Sequence, residues 1–165
     1  MVSHSKIIIL DLETTGLNPR KDSIIEIFAG RYSRGEIVEE FETLLKPRRH
    51  ISPFITSLTG LTQTDVEEAP MFKEISSELY SFLKGNRIIA YNSSFDKRFL
   101  VANDRKFGCL RFVDYLRYVK KKRPNLRSYT LESVSRHFGF SSHSKLHRAR
   151  TDVETLAKLI RNLGC

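Results

Sequence analysis

Lys6–Leu10 (KIIIL) is dominated by a run of β-branched residues, and it breaks directly into Asp11-Leu12-Glu13-Thr14-Thr15-Gly16. An apolar run without alternation is a strand buried on both faces, at the centre of a sheet covered by helices. Two further segments, Ile24–Tyr32 and Ile37–Leu45, read as strands. The short Ser33-Arg34-Gly35 link between them implies an antiparallel hairpin.

Downstream the pattern alternates. Pro47 to Pro70 is a long connection with little strand character and room for one short helix. Pro70 is placed to open a helix, with Phe72, Ile75, Leu79 and Phe82 as its buried stripe. Arg87–Tyr91 is a fourth strand. Ser93 or Ser94 can cap the helix that follows, to about Phe107. Leu110–Val113 is a short fifth strand. Tyr115–Lys122 and Leu131–Phe138 read as helices separated by Pro124. The last helix carries Ala149, Val153, Leu156, Ile160 and Leu163 on one face. Thr151 and Glu154 also fit a capping box, so its start falls between Arg148 and Asp152. A hairpin followed by alternating strands and helices implies an α/β fold with a sheet of mixed direction. At 165 residues, a single domain over residues 1–165 is expected.

Composition narrows the setting. No apolar run approaches the ~20 residues that span a bilayer, and MVSHSKIIIL lacks the features of a signal peptide. Cys109 and Cys165 are too far apart to read as a metal-ligand pair. A reduced, cytoplasmic location with no membrane partner is expected. The net charge is +9, and it is uneven. Lys97–Arg127 holds eleven Lys/Arg and two acids, an excess equal to that of the whole chain, whereas Glu36–Glu78 holds nine acids and four bases. A basic segment of this kind is a polyanion footprint or a solvated face.

Five residues carry the chemistry. Asp11 and Glu13 are two apart at the end of the first strand, so both carboxylates point to one face. They repel each other unless a cation lies between them, and hard oxygen ligands suit Mg²⁺ or Mn²⁺. Gly16 allows a sharp turn with close backbone approach. Asp96 falls in the first turn of the helix after the fourth strand, where the helix dipole favours an ionised carboxylate. If that strand runs parallel to the first, both deliver their acids to one sheet edge. His147 and Asp152 are five apart and would not share a helix face. The histidine therefore belongs to the loop and Asp152 to the first turns of the last helix. A mobile histidine suits a general base. Read singly, each fragment is equally well a set of exposed acids or an exposed histidine.

Taken together, LDLETTGL, IIAYNSSFDKRFL and HRARTDVETLAKLI resemble the three motifs of the DEDDh (DnaQ-like) 3′–5′ exonucleases, from about Lys6 to Leu163. That group includes the proofreading epsilon subunit of bacterial DNA polymerase III, RNase T and oligoribonuclease. SLTGLT and FVDYLR with LRSYTLESVSRHFGF are softer matches. The resemblance implies an RNase H-like mixed five-stranded sheet flanked by helices, holding two divalent ions, Mg²⁺ or Mn²⁺. It implies Asp11, Glu13, Asp96 and Asp152 as metal ligands, with Asp11 shared between the ions and Glu13 and Asp152 on the attacking side. It implies His147 as general base and a nucleoside 5′-monophosphate as product. Thr14, Thr15, Leu17, Asn92 and Phe95 are the implied substrate contacts. Tyr91 and Thr59-Gly60 stand where many members carry His and His-Gly, and both are expected near the substrate.

The expected partners are single-stranded DNA or RNA 3′ ends. A DNA polymerase partner, an RNA-processing role and association between copies stay open. The chain stops at Cys165, just after the last helix, and so offers no tail to tether a polymerase. That favours a stand-alone nuclease or an isolated domain. From a different class, a nucleic-acid-binding module without catalysis would rest on Lys97–Arg127 alone.

Overall fold

The computed structural model describes residues 6–140 and 147–165. Five strands form one sheet: β1 (Ile7–Thr14), β2 (Ile24–Ser33), β3 (Glu36–Leu44), β4 (Arg87–Ala90) and β5 (Arg111–Asp114). Their order is β3-β2-β1-β4-β5. β1 pairs antiparallel with β2 and parallel with β4, and β4 pairs parallel with β5. The mixed sheet expected from the hairpin and the later alternation is present. β1 runs four residues beyond the expected Leu10, because β2 continues to pair with it through Glu13↔Glu26. Asp11 and Glu13 are thus rigid strand residues, followed by a register shift at Glu13/Thr14.

Helices α1 (Pro53–Thr59) and α2 (Gln63–Glu67) fill the long connection, where one short helix was expected. The second forms because Thr62 and Asp65 cap each other reciprocally. α3 (Phe72–Leu83) begins two residues after Pro70. The carboxylate of Glu74 accepts from the Met71 N–H, which fixes the start there. α4 (Ser93–Asn103) takes Asn92 as its N-cap residue, without a capping side chain; Ser94 Oγ bonds the Asn92 amide oxygen instead. It stops short of Phe107. Asp104 is extended, accepts from the Lys106 N–H and the Ser76 hydroxyl, and starts a 3₁₀ turn over Arg105–Cys109. α5 (Tyr115–Lys122), α6 (Leu131–His137) and α7 (Ala149–Leu163) complete the chain.

Alternation along β1 divides the core. Ile8, Leu10 and Leu12 pack under α3 and α4 with Leu79, Leu83, Phe99 and Leu100. Ile9 faces the other way, toward Val119, Val134, Val153, Leu156 and Ile160 of α5, α6 and α7. The odd-numbered side of β1 therefore sends Asp11 and Glu13 to the α7 face. A smaller cluster of Ile25, Ile51, Ile55, Leu61 and Val66 seats α1 and α2 at the sheet end where those carboxylates lie. Among the described residues no helix is long and apolar enough to cross a membrane. Cys109 and Cys165 are free and exposed.

Candidate active site

Three separate elements deliver carboxylates to one cavity of about 510 Å³. Asp11 and Glu13 come from β1, Asp96 from the first turn of α4 and Asp152 from the first turn of α7. His147, Asn92, Phe95, Tyr91 and Tyr129 line the same cavity. β4 runs parallel to β1, so α4 starts at the sheet edge where β1 ends. α7 crosses that edge from the face to which Glu13 points.

The acids are held close together with little charge to offset them. Asp96 is 3% and Glu13 9% exposed. Burial, then Asp96, Asp152, Glu13 and Glu26 in turn, raise the Asp11 carboxyl well above its ordinary range. Burial raises Glu13 to about 8, helped by Asp152 and Glu26 and opposed by Arg148. Burial lifts Asp96 to about 7, although the backbone N–H groups of Asp96 and Leu12 bond its carboxylate and oppose the rise. Asp152 rises to about 6, again chiefly through burial, with His147 pulling the other way. A cation among these groups would stabilise their ionised forms. Glu13, His147 and Asp152 each offer a ligand atom, all within 4.8 Å of one another. The donor set therefore fits a hard divalent ion.

His147 lies just before α7, as expected, with its side chain more than half exposed and Nδ1 3.7 Å from Asp152 Oδ2. Its backbone N–H donates to the Leu58 carbonyl at the end of α1. The next residue, Arg148, grips Glu26 of β2 through Nε (3.0 and 3.1 Å) and Nη2 (2.6 Å), and the Ala149 N–H also donates to Glu26. Glu26 stands opposite Glu13 in the β1–β2 ladder. It therefore satisfies the first turn of α7 in place of the Thr151–Glu154 capping box. Nothing in the sequence reading singled out Glu26 or Arg148. The available signal was a carboxylate inside the apolar strand IIEIFAG.

The other expected contacts divide. Asn92 and Phe95 line the cavity, and Phe95 also stacks against Phe99 at 4.9 Å. Thr14, Thr15 and Leu17 lie outside its lining, on the turn after β1. Thr14 Oγ1 donates to the Gly16 carbonyl, and Thr15 Oγ1 accepts from the Ser23 N–H. Both hydroxyls shape the turn. Gly16 permits close approach as expected: a Cβ there would lie 2.5 Å from Asp22 Oδ2. Leu17 is 81% exposed, so it is not a core residue. Tyr91 lines the cavity and Thr59 does not. It is fully buried, its hydroxyl donating to the Ile55 carbonyl and accepting from the Leu61 N–H.

The chain is similar to known exonucleases in sequence and in fold. A family model described as "Exonuclease" (RNase_T) matches residues 8–160. The DNA polymerase III PolC-type of Thermotoga maritima is 38% identical over 160 residues, covering 93% of this chain and 12% of that protein. The chain thus spans about an eighth of the length of that curated relative. Exonuclease X in complex with 5′ overhanging duplex DNA superposes with a TM-score of 0.75 at 23% identity, covering 95% of this chain and 90% of that one. The zinc ion bound form of the E. coli ExoI–ssDNA complex superposes with a TM-score of 0.76 at 22% identity, over 96% and 40% of the two chains. The sheet and its flanking helices have the RNase H-like exonuclease fold.

Proposed function

Since the chain belongs to the DnaQ-like family of metal-dependent 3′–5′ exonucleases, we propose that it releases nucleoside 5′-monophosphates from DNA 3′ ends with two divalent ions, Mg²⁺ or Mn²⁺. One observation carries this reading: four carboxylates from β1, α4 and α7 line a single cavity with a histidine at its rim. Asp11, Glu13, Asp96 and Asp152 would hold the ions, whose chemistry would be to offset charge on the attacking and leaving oxygens. His147 takes the proton of the attacking water. It is the exposed member of the Glu13–His147–Asp152 group, whereas the carboxylate oxygens are the harder ligands that Mg²⁺ and Mn²⁺ prefer. Asp152 orients the imidazole from 3.7 Å. Asn92 and Phe95 receive the terminal nucleotide inside the cavity. Thr14, Thr15 and Leu17 meet it from the turn, where apolar contact tolerates any base.

DNA is favoured over RNA because the polymerase relative and both solved neighbours carry DNA in their names. The same relative makes proofreading beside a polymerase the natural role. Digestion of a 5′-labelled strand tests the reaction, with Mg²⁺, Mn²⁺ or EDTA, on single-stranded, duplex and mismatched-end DNA and on short RNA. A ladder shortening from the 3′ end only with metal is expected, faster on mismatched than on matched DNA ends. Asp11→Ala and Asp152→Ala are expected to abolish it while the circular dichroism spectrum is retained. Substantial residual hydrolysis in either variant would sink the ligand assignment, and faster digestion of RNA would reassign the substrate.

A further inference from the structure

The basic stretch Lys97–Arg127 does not gather on one helix. It runs over the outer face of α4, the 3₁₀ turn, β5 and α5, along the β5 flank of the cavity. Among the described residues, only Lys106 of its eleven cations is ion-paired, with Asp104 at 2.9 Å. On the opposite flank the arginines are neutralised: Arg31 by Glu39, Arg148 by Glu26, Arg150 by Glu40 and Glu42. Internal pairing thus cancels charge near β3 and leaves it uncancelled near β5.

One part of the basic flank is fixed to the catalytic cavity. The Tyr91 hydroxyl donates to the Tyr129 carbonyl at 2.6 Å. The Tyr129 hydroxyl in turn donates to the Arg123 carbonyl at 2.6 Å and accepts from the Leu126 N–H at 3.3 Å. The Lys120 ammonium lies 5.5 Å from the Tyr129 ring centre. Tyr91, one of the two positions that depart from the DEDDh pattern, is therefore an anchor for the α5–α6 connection. That connection borders a second cavity of about 480 Å³. Its polar lining is Asn125, Arg127, Ser128, Ser133, Arg136 and His137, all able to donate hydrogen bonds; Arg136 also pairs with Glu132 one helical turn back, outside the lining, whereas Arg127 has no ion-pair partner among the described residues. The two cavities meet along the chain, since Ser128 lines one and Tyr129 the other.

We propose that this second cavity is a phosphate-binding subsite that holds the substrate strand upstream of the terminal nucleotide, positioned by the Tyr91–Tyr129 relay. The proposal rests on the exonuclease reading above. Phosphate oxygens match a lining of donors flanked by two guanidiniums, and α5 adds Lys120, Lys121 and Lys122 to the approach.

The test compares wild type with Arg127→Ala/Arg136→Ala and with Tyr129→Phe. Binding of a single-stranded oligonucleotide is measured by fluorescence anisotropy in EDTA across a salt series. Losing two phosphate contacts should make the log–log salt slope shallower by about 1.4, which weakens binding about twentyfold at 0.1 M salt. With Mn²⁺ the ratio of kcat/KM for a long oligonucleotide to that for a dinucleotide should fall by a similar factor. Tyr129→Phe keeps every cation but frees the connection, so it should lower the same ratio with a smaller change in slope. Wild-type slope and wild-type ratio in the double variant overturn the proposal and leave this face to an acidic protein partner. The binding arm needs no turnover. A wild type inactive with both metals would defeat the exonuclease reading while the EDTA slopes still decide this surface.

Discussion

Glu26 shows how one side chain sets the geometry of another. Its carboxylate is almost wholly buried and, among the described residues, is satisfied only by Arg148 and the Ala149 N–H. Removing the guanidinium strands a buried charge, so Arg148→Ala should cost about 2–4 kcal/mol, nearer the lower figure because Arg148 itself is half-exposed. Urea denaturation measures this. The same change frees the residue next to His147, so kcat should fall more than KM rises, with partial recovery in Arg148→Lys. In a His147→Ala background the Arg148 change should lower kcat no further. A further drop of equal size there would mean that Arg148 acts on folding alone. The pair was not legible in the sequence because its partners are 122 residues apart and no local spacing records such a contact. Asp11, Glu13, Asp96 and Asp152 were legible because each is fixed by its own element: strand period for the first two, a helix start for the others.

At the scale of elements, the end of α1 is a support for the start of α7. The Leu58 carbonyl accepts from the His147 N–H, and the next residue, Thr59, closes α1 with two buried hydrogen bonds. Thr59→Val keeps the shape and removes both bonds, leaving the Leu61 N–H without its acceptor. A loss of about 1–3 kcal/mol is expected, read from the urea midpoint, together with a modest fall in kcat. An unchanged midpoint would show that water replaces the hydroxyl. Thr59, expected near the substrate, has a buried side chain, and a motif position carries no information on which way a short helix turns its side chains. Strand direction was legible from the hairpin and from βα alternation. Helix ends were less so, since Glu74 and Asp104 set them through single side-chain bonds that propensity does not weigh.

For the whole molecule, the β1 edge gathers acids from three elements that ordinary folding would keep apart, so metal and pH act on global stability. Asp11, Glu13, Asp96 and Asp152 all have carboxyls raised in the folded chain, Glu13 to about 8, Asp96 to about 7 and Asp152 to about 6. A group raised on folding favours the folded state while both states are protonated. That contribution is fully present below the unfolded value, about 4 for carboxylates, and is lost as pH rises through the folded value. In EDTA the urea midpoint should therefore decline from about pH 5 through about pH 8, as Asp152, Asp96 and Glu13 ionise in turn. Divalent ions bind the deprotonated acids, so Mn²⁺ should raise the midpoint strongly near pH 8 and little near pH 5. At a hundred times its dissociation constant the gain is about 2.7 kcal/mol. Asp11→Asn/Glu13→Gln removes like charge without changing shape. It should flatten the decline in EDTA and abolish most of the metal response. A midpoint that is level or rises with pH in EDTA would mean that the four carboxylates do not repel one another in the folded chain. The account of the cavity as a strained, metal-requiring cluster would then fail, whatever the hydrolysis assays return.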